Sequence, residues 1–523
     1  MSELPNGWVQ IRLGDSIQIQ KGKKPIGLGP KSGERTVPYI NISAFETKHV
    51  EEYAPEQDVP RCAPIDTLLV WDGARAGLAG RGIGGFIGST LSRLTSDLAD
   101  PGYLYYFVHS NYGYMNTHTK GVGIPHIDPI VLAEMSFPLP PSTEQTRIVA
   151  KIEELLTDLD AGAAELKAAQ KKLGQYRQSL LKAAVEGALT AEWRAARKSV
   201  CPELVEGRST LTSSPDHPST GSGRTDEEET GAQLLQRILI ERRARWEAKQ
   251  LAKFAEQGKT PPKDWQKKYP EPVQPDTTDL SKLPEGWVWA SVEQLGNVQL
   301  GRQRSPSKVG KANPTPYIRA ANITEEGVDL SDVLEMDFSV TEKETFALKV
   351  GDVLLTEASG SPEHVGRPAI WKHAAGLYCF QNTVLRFSPE GIGSEYAFYS
   401  FLAMQKLGVF GKLSGGIGIN HLSAGKFSKL PVPLPPTDEQ IALIEIIKAK
   451  FSLCDEQLIS NTHSLKQSAA QRKNILKAAF SGQLVPQDPN DEPAGELLAR
   501  IRAERAEREA MKKPRGRKIK EAR

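Results

Sequence analysis

A chain of 523 residues with 39% hydrophobic and 25% charged side chains is too long for one ordinary domain, and at roughly 150 residues per domain it holds about three or four folded units. Lys and Arg number 66 against 64 Asp and Glu, a formal charge of +2. That balance excludes a uniformly basic binder, so any nucleic-acid surface requires local segregation of charge. Four cysteines, at positions 62, 201, 379 and 454, form no CxxC pair, which excludes a zinc ribbon or a disulfide framework. The start, Met1-Ser-Glu-Leu-Pro-Asn-Gly-Trp8, lacks the basic and apolar regions of a signal peptide, and no apolar run reaches the roughly 18 residues of a membrane span. The expectation is a soluble, cytoplasmic, multidomain protein without a membrane partner.

Residues 1–141 alternate short β-branched runs, such as Trp8-Val-Gln-Ile-Arg12 and Thr67-Leu-Leu-Val-Trp71, with Gly and Pro punctuation. These predict strands joined by turns, with a helix near Tyr103–Ser110, in a mixed α/β domain. Residues 142–190 differ. After Pro-Leu-Pro-Pro, Ser142-Thr-Glu-Gln145 has the spacing of a capping box at a helix start. Val149, Ile152, Leu156, Leu159, Ala163, Leu166, Leu173, Leu180 and Ala184 then recur in threes and fours as a coiled-coil seam, with Gly187 at the stop. At 1.5 Å per residue this predicts a rod of roughly 60 Å. Residues 191–228, rich in Ser, Thr, Pro and Gly, read as a flexible linker. A basic helix is expected over 229–256 and a Pro-rich connector over 257–282. A second mixed domain follows over 283–436, with strands at Asp352–Thr356 and Thr383–Phe387 and a helix near Tyr396–Met404. A second seam (Ile444, Ile447, Phe451, Cys454, Leu458, Leu465, Ile475, Ala479) lies within 437–485, ending at Gly482, and 486–523 form a helical, basic tail. Two such rods in one chain most simply pack antiparallel.

The chain is written twice. Leu4-Pro-Asn-Gly-Trp8 returns as Leu283-Pro-Glu-Gly-Trp287 at an offset of 279, and Gly80-Arg81 as Gly366-Arg367 at 286. From Gly121-Val-Gly-Ile-Pro-His126, which returns as Gly416-Ile-Gly-Ile-Asn-His421, through Leu181-Lys-Ala-Ala184, which returns as Leu476-Lys-Ala-Ala479, the offset stays at 295. Leu234-Leu-Gln-Arg-Ile238 matches Leu497-Leu-Ala-Arg-Ile501 at 263, so the first copy carries 32 extra residues around 199–226. Each half is a part that tolerates insertion followed by a part of constant length.

The order of these elements resembles the specificity (S) subunit of type I restriction–modification systems. The Leu-Pro-x-Gly-Trp openings, the Pro-Leu-Pro-Pro-x-x-Glu-Gln helix starts, the Leu-Lys-Ala-Ala-x-x-Gly helix ends and the basic helix with Arg242-Arg243-Ala-Arg-Trp246 carry the resemblance over nearly the whole chain. It implies an α+β multidomain fold. Two target recognition domains would be joined by two long antiparallel coiled-coil helices as an internal pseudo-twofold repeat. Each domain would read one half of a split double-stranded DNA site, and the helical pair would act as a ruler. Two modification (methyltransferase) subunits and the ATP-dependent restriction subunits would be the partners. Catalysis, with S-adenosylmethionine, ATP and Mg, would belong to those partners, and this chain would hold no cofactor or metal.

The residues agree with a non-catalytic reader. Gly296-Asn-Val-Gln-Leu-Gly301 continues into Arg302-Gln303 and so lacks the Lys and hydroxyl of a P-loop. No Asn/Asp-Pro-Pro-Tyr/Phe segment is present, and Gly80-Arg-Gly-Ile-Gly-Gly85 matches GxGxxG but leads into turn-formers rather than a helix. A self-sufficient restriction or modification enzyme with an unrecognised site, and a coiled-coil scaffold without a DNA role, are the competing readings. For DNA, cations should gather in loops. Residues 17–33 hold Lys21, Lys23, Lys24 and Lys31 with no acid; residues 299–319 hold Arg302, Arg304, Lys308, Lys311 and Arg319, again with none. The domains around them are slightly acidic, 12 basic against 14 acidic over 1–140 and 14 against 15 over 283–436. Base readout falls to Arg75, Arg81, Lys120, His364, Arg367, Lys412 and Asn420. His126 and His421 recur in both copies and are expected as packed residues at a domain–helix junction.

Overall fold

The opening motif forms because Gly7 and Gly286 take φ of +82° and +85°, closing a turn that only glycine adopts without strain and delivering the following Trp to the domain floor. In the computed structural model, which describes residues 4–121, 123–200, 229–303, 314–413 and 420–511, each Trp starts a strand that pairs with the last strand of its own domain. Val9–Arg12 runs antiparallel to Ser136–Leu139, and Val288–Ser291 to Pro431–Leu434. Both ends of each recognition domain therefore meet at the start of a long helix.

The chain divides into two compact units, Met1–Ala168 with Ser460–Arg523, and Ala169–Ile459. The first contains a four-stranded antiparallel sheet ordered Ile17–Lys21, Leu91–Ser96, Thr67–Val70, Ala79–Arg81. The second contains the same order in Gly296–Leu300, Val384–Pro389, Val353–Thr356, Pro368–Ile370. Thr67–Val70 and Val353–Thr356 are buried along their whole length, as short apolar runs covered on both faces should be. Beside them lies a smaller mixed sheet, Tyr53–Ala54, Val37–Ile40, Gly85–Ile87 and Arg61–Cys62 in one unit, and Leu334–Asp337, Pro314–Ile318 and Cys379–Phe380 in the other. The expected helices are Pro101–Ser110, capped by Asp100 on the Gly102 and Tyr103 amides, and Ser394–Lys406. Gly80–Gly85 is strand, turn and the start of a further strand.

The long helices are Ser142–Val185 and Thr437–Phe480. Their starts differ from the expected capping box. Pro141 and Pro436 accept the first helical bonds, from the Gln145 and Gln440 amides, so Ser142 and Thr437 are already helical. The glutamine side chains instead donate to the Pro140 and Pro435 carbonyls. Within each unit the helical segments pack antiparallel. In the first, Asp160 pairs with Arg472 while Arg147, a few turns back, pairs with Asp491 at 2.6 Å. In the second, Arg177 pairs with Asp455 at 2.5 Å, and Ala184 lies in one core with Leu443 and Ile447. The expected seam is buried where a recognition domain covers it, at Ile152 and Leu156 or at Leu180 and Ala184; Ile148 and Leu181, outside that seam, are buried with them, while Val149 is only half-buried. Between the two covered stretches Leu166 and Leu173 are likewise half-buried, because a helix pair alone leaves its flanks open to water.

Trp8 donates its indole N–H to the Glu144 carboxylate at 2.9 Å, and Trp287 does the same to Glu439 at 2.9 Å. Both carboxylates sit buried in the first turn of a long helix, where the helix dipole favours negative charge. The glycines that end the helices, Gly187 and Gly482, have φ of +72° and +71°. A Cβ on either would strike Pro284 or Pro5 of an opening motif, at 2.4 and 2.1 Å from its Cγ.

One expectation is corrected here. Residues 191–200 are not linker but the helix Ala191–Val200, held because Arg194 pairs with buried Glu439 and, with Thr190, shares its Oε1. Within the Pro-rich connector 257–282, Trp265–Lys268 adds a 3-10 turn packed on the helix Gly231–Glu256. The last helix, Ala494–Met511, packs on the first domain through Ala494 and Leu498, with Arg505 on Asp97 at 3.1 Å. The basic stretch Lys512–Lys520 lies outside the described residues, as does 201–228.

Glu439→Ala should lower the thermal midpoint of the second unit and cost about 3 kcal/mol, because it strands the Arg194 guanidinium and two donors in a nearly closed site. Glu439→Gln should cost less. Unchanged midpoints by calorimetry would show that the junction is not held this way.

Candidate nucleic-acid interface

In the first domain three sequence-distant segments converge on Asp72, just past the strand Thr67–Val70. Lys21 ends the strand Ile17–Lys21 and places its ammonium 3.4 Å from Asp72 Oδ2. His126 Nδ1 lies 2.6 Å from Asp72 Oδ1. The hairpin Thr119–Lys120/His126–Ile127 sets Lys120 directly opposite His126, and Lys120 reaches Asp128 at 2.9 Å. That bond, ahead of the others on it, holds the Asp128 carboxyl below its usual range. Lys23 and Lys24 continue from Lys21 into solvent with no ion-pair partner among the described residues. Lys31 is exposed, 5.7 Å over the Tyr53 ring. Arg75, on the turn after Asp72, pairs with Glu46. This surface carries excess positive charge on a slightly acidic domain and is framed by backbone that fixes where the cations stand.

In the second domain the equivalent frame is present with different side chains. Ala358 takes the place of Asp72, opposite His421 in the ladder Ala358–Ser359/Asn420–His421 as Asp72 is opposite His126, and the carboxylate comes from the residue before it: Glu357, at the place of Trp71, meets His421 Nδ1 at 3.1 Å. Asn420 is in that ladder opposite Ser359. Lys412 is exposed on the helix Val409–Leu413. Arg304, Lys308 and Lys311 lie outside the described residues. Arg319 pairs with Asp332 in the smaller sheet's periphery, and His364 contacts Arg367.

Three expectations change. Arg302 is 8% exposed and faces inward: it meets Glu342 at 2.7 Å, and its guanidinium stacks on Phe338. It holds the same repeat position as Lys23, with the same backbone bond (Lys23 N–H to Ile87 O, Arg302 N–H to Phe380 O, both 3.0 Å), yet one cation is out and the other in. Arg81 and Arg367 do not present free forks to a groove. Arg81 stacks over Tyr105 at 4.8 Å and lies 3.7 Å from Glu153 of the long helix. Arg367 lines a cleft of about 520 Å³ between its domain and the helical residues Arg177, Gln178 and Phe451. His126 and His421 are not packed: their side chains are 47% and 58% exposed, each anchored by a carboxylate. Asp72 and Glu357 were missed by sequence reasoning; both follow a buried strand but stand one repeat position apart, so the repeat does not align them. Among the described residues no group of His, Cys, Asp and Glu could hold a metal ion, and no helix is long and apolar enough to cross a membrane.

The sequence matches the model of the type I restriction modification DNA specificity domain twice, over residues 5–172 and 284–459, one match for each copy of the repeat. The chain belongs to this family. Among its relatives, the EcoDI type I restriction enzyme specificity subunit of Escherichia coli is 20% identical over 527 residues, 96% of this chain and 96% of that protein. The MjaVIII specificity subunit of Methanocaldococcus jannaschii is 27% identical over 221 residues, 39% of this chain. The matches span only about half the length of the MjaVIII and EcoAI subunits, 51% and 52%. A chain from a solved type I R-M system shares the fold, with a TM-score of 0.60 and 16% identity over 92% of this chain and 100% of that one. The expected type I specificity subunit architecture is thus the one found.

The repeat-equivalent cations should separate experimentally. Arg302→Met should destabilise its domain by about 1–3 kcal/mol by stripping Glu342 of its partner. Lys23→Met should stay within about 0.5 kcal/mol of the parent. Equal losses in thermal unfolding would contradict the inward placement of Arg302.

Proposed function

We propose that the chain is the non-catalytic, cytoplasmic specificity subunit of a type I restriction–modification complex and reads a bipartite site in double-stranded DNA. The observation that carries this reading is a frame built twice with one topology and two different surfaces. The Trp–Glu anchors, the sheet order and the carboxylate–histidine pairs recur, while the exposed side chains around them change, as Lys21 and Lys23 against Leu300 and Arg302 show. Two readers with the same docking and different contacts suit two unlike half-sites.

In this reading the loop cations hold phosphates and orient each domain, and groove-facing polar groups select bases. Lys21, Lys23, Lys24, Lys31, Lys120 and Arg75 serve the first domain. Lys412, Asn420, Arg319 and His364, with Arg304, Lys308 and Lys311, serve the second. The paired helices set the gap and dock two modification subunits. Those subunits methylate adenine using S-adenosylmethionine, and the restriction subunits use ATP and Mg to translocate and cut.

The test is to map methylated adenines genome-wide in a methylation-free host expressing this chain with its modification subunit. A split motif with a fixed gap is expected. A single continuous motif would contradict two independent readers, and no methylation beside a partner shown to be active would favour the scaffold. In binding assays on the same complex, Lys23→Gln with Lys24→Gln should flatten the dependence of log affinity on log salt by roughly 2 and leave the motif unchanged.

A further inference from the structure

The segment 242–268 belongs to neither recognition domain, and beyond Ala248 it has no described counterpart in the other half of the repeat. It holds nine cations against three carboxylates, in a chain whose total charge is +2. It is also folded. Trp246 of the helix Gly231–Glu256 stacks on Trp265 of the 3-10 turn, with centroids 5.8 Å apart and rings 20° from parallel. Tyr269 meets Trp246 edge-on at 5.4 Å, and Phe254 meets Trp265 at 6.1 Å. Burial raises the Tyr269 phenol above its ordinary range, as expected for a ring shielded by this packing. The base of the helix is fixed to the second domain by Leu234 and Ile238 in its core and by Arg242 donating to the Glu293 and Gly296 carbonyls at 2.7 and 3.0 Å.

The cations fall into two groups. Arg242, Arg243, Arg245 and Lys267 are engaged: Arg242 and Arg245 with Glu390, Arg243 with Glu247 and Glu271, and Lys267 with Asp264. Lys249, Lys253, Lys259, Lys263 and Lys268 are exposed and have no ion-pair partner among the described residues. Lys249 and Lys253 stand one helical turn apart on the same face, and the other three lie on the strap that the tryptophans fold back. The carboxylates within the segment that could neutralise them are mostly spent on other cations; Glu256 alone stands unpaired and exposed. Five ammonium groups held on one folded module, against one unpaired carboxylate, are poor at reading bases and well suited to gripping a polyanion.

We infer that this aromatic-stapled basic strap is a second, sequence-independent DNA site that binds the phosphate backbone outside the segments read by the two recognition domains. The inference rests on the reading of the chain as a DNA-binding subunit and adds to it a contact that contributes affinity without specificity. An acidic face of a partner protein is the competing occupant. DNA is favoured because the free cations are five lysines on flexible stems and the tryptophans are turned inward on each other, leaving Leu251 as the exposed large apolar side chain among the described residues of the segment.

The experiment uses the full chain co-expressed with its modification subunit and measures affinity against salt for long duplexes with and without the mapped site. Replacing all five lysines by Gln should flatten the salt dependence by roughly 4 on both duplexes and leave the methylated motif unchanged. Replacement of the same five by Arg should keep the parent slope. Trp265→Ala, which unstacks the strap without removing charge, should fall between. An unchanged slope in the Gln variant overturns the inference, as does loss of the modification subunit with DNA binding intact, which would assign the strap to a protein partner. If the parent complex itself shows no salt-dependent DNA binding, the proposed function fails and the strap inference fails with it. A steep parent slope with an equally steep Gln variant removes the strap alone.

Discussion

The bond from a buried indole to a buried carboxylate, Trp8 to Glu144 and Trp287 to Glu439, is the constraint on which the rest of the molecule depends. It joins the first strand of each recognition domain to the first turn of the long helix that follows it. Because the last strand of the domain runs straight into that helix, the domain is held at both of its ends. A buried carboxylate is costly unless donors surround it. The chain meets that demand with a tryptophan, a helix N-terminus and one further set of groups that differs between the copies. Glu439 receives Thr190 and Arg194, whereas Glu144 receives Gln487 at 3.3 Å. In each case the extra donors come from the segment that follows the other long helix. The glycine ending that helix also abuts the proline of the opening motif, so helix start, helix end and domain start are set at one place.

Such a junction lets the recognition surface vary without moving the domain. The residues that set this junction recur in both copies: Trp, Glu, and the Tyr103 and Tyr396 hydroxyls donating to the Pro138 and Pro433 carbonyls just before the helix start. The residues that face solvent near the carboxylate–histidine pairs do not. At one repeat position the same backbone geometry carries a solvent-facing Lys23 and an inward Arg302. A surface that changes its charge pattern on an unchanged frame is what a reader of interchangeable sequences requires.

Much of this was legible in the sequence. The repeat, the long helices, their glycine ends and the strands around Thr67 and Val353 rest on periodicity and punctuation, which are local properties. What was not legible is whether a given cation points out or in. Arg302 sits in an acid-free loop by sequence, but its partner Glu342 is 40 residues away and is delivered by a separate helix. Arg81 and Arg367 were misplaced although their recurrence was a clue. A residue kept in both copies of a variable domain serves the shared frame. The histidines recur for a related reason, since each is aligned by a carboxylate, but on the surface. The strap of residues 257–268 was hidden because its order comes from stacked tryptophans rather than from any helical or strand period.

In the proposed function, domains held at both ends to the long helices let helix length set the gap between half-sites. The most direct test is to delete one heptad from each long helix, keeping both junctions, and to map the methylated motif of the resulting complex. The account predicts a changed gap with both half-site sequences preserved. A motif whose half-sites change while the gap stays constant would contradict it.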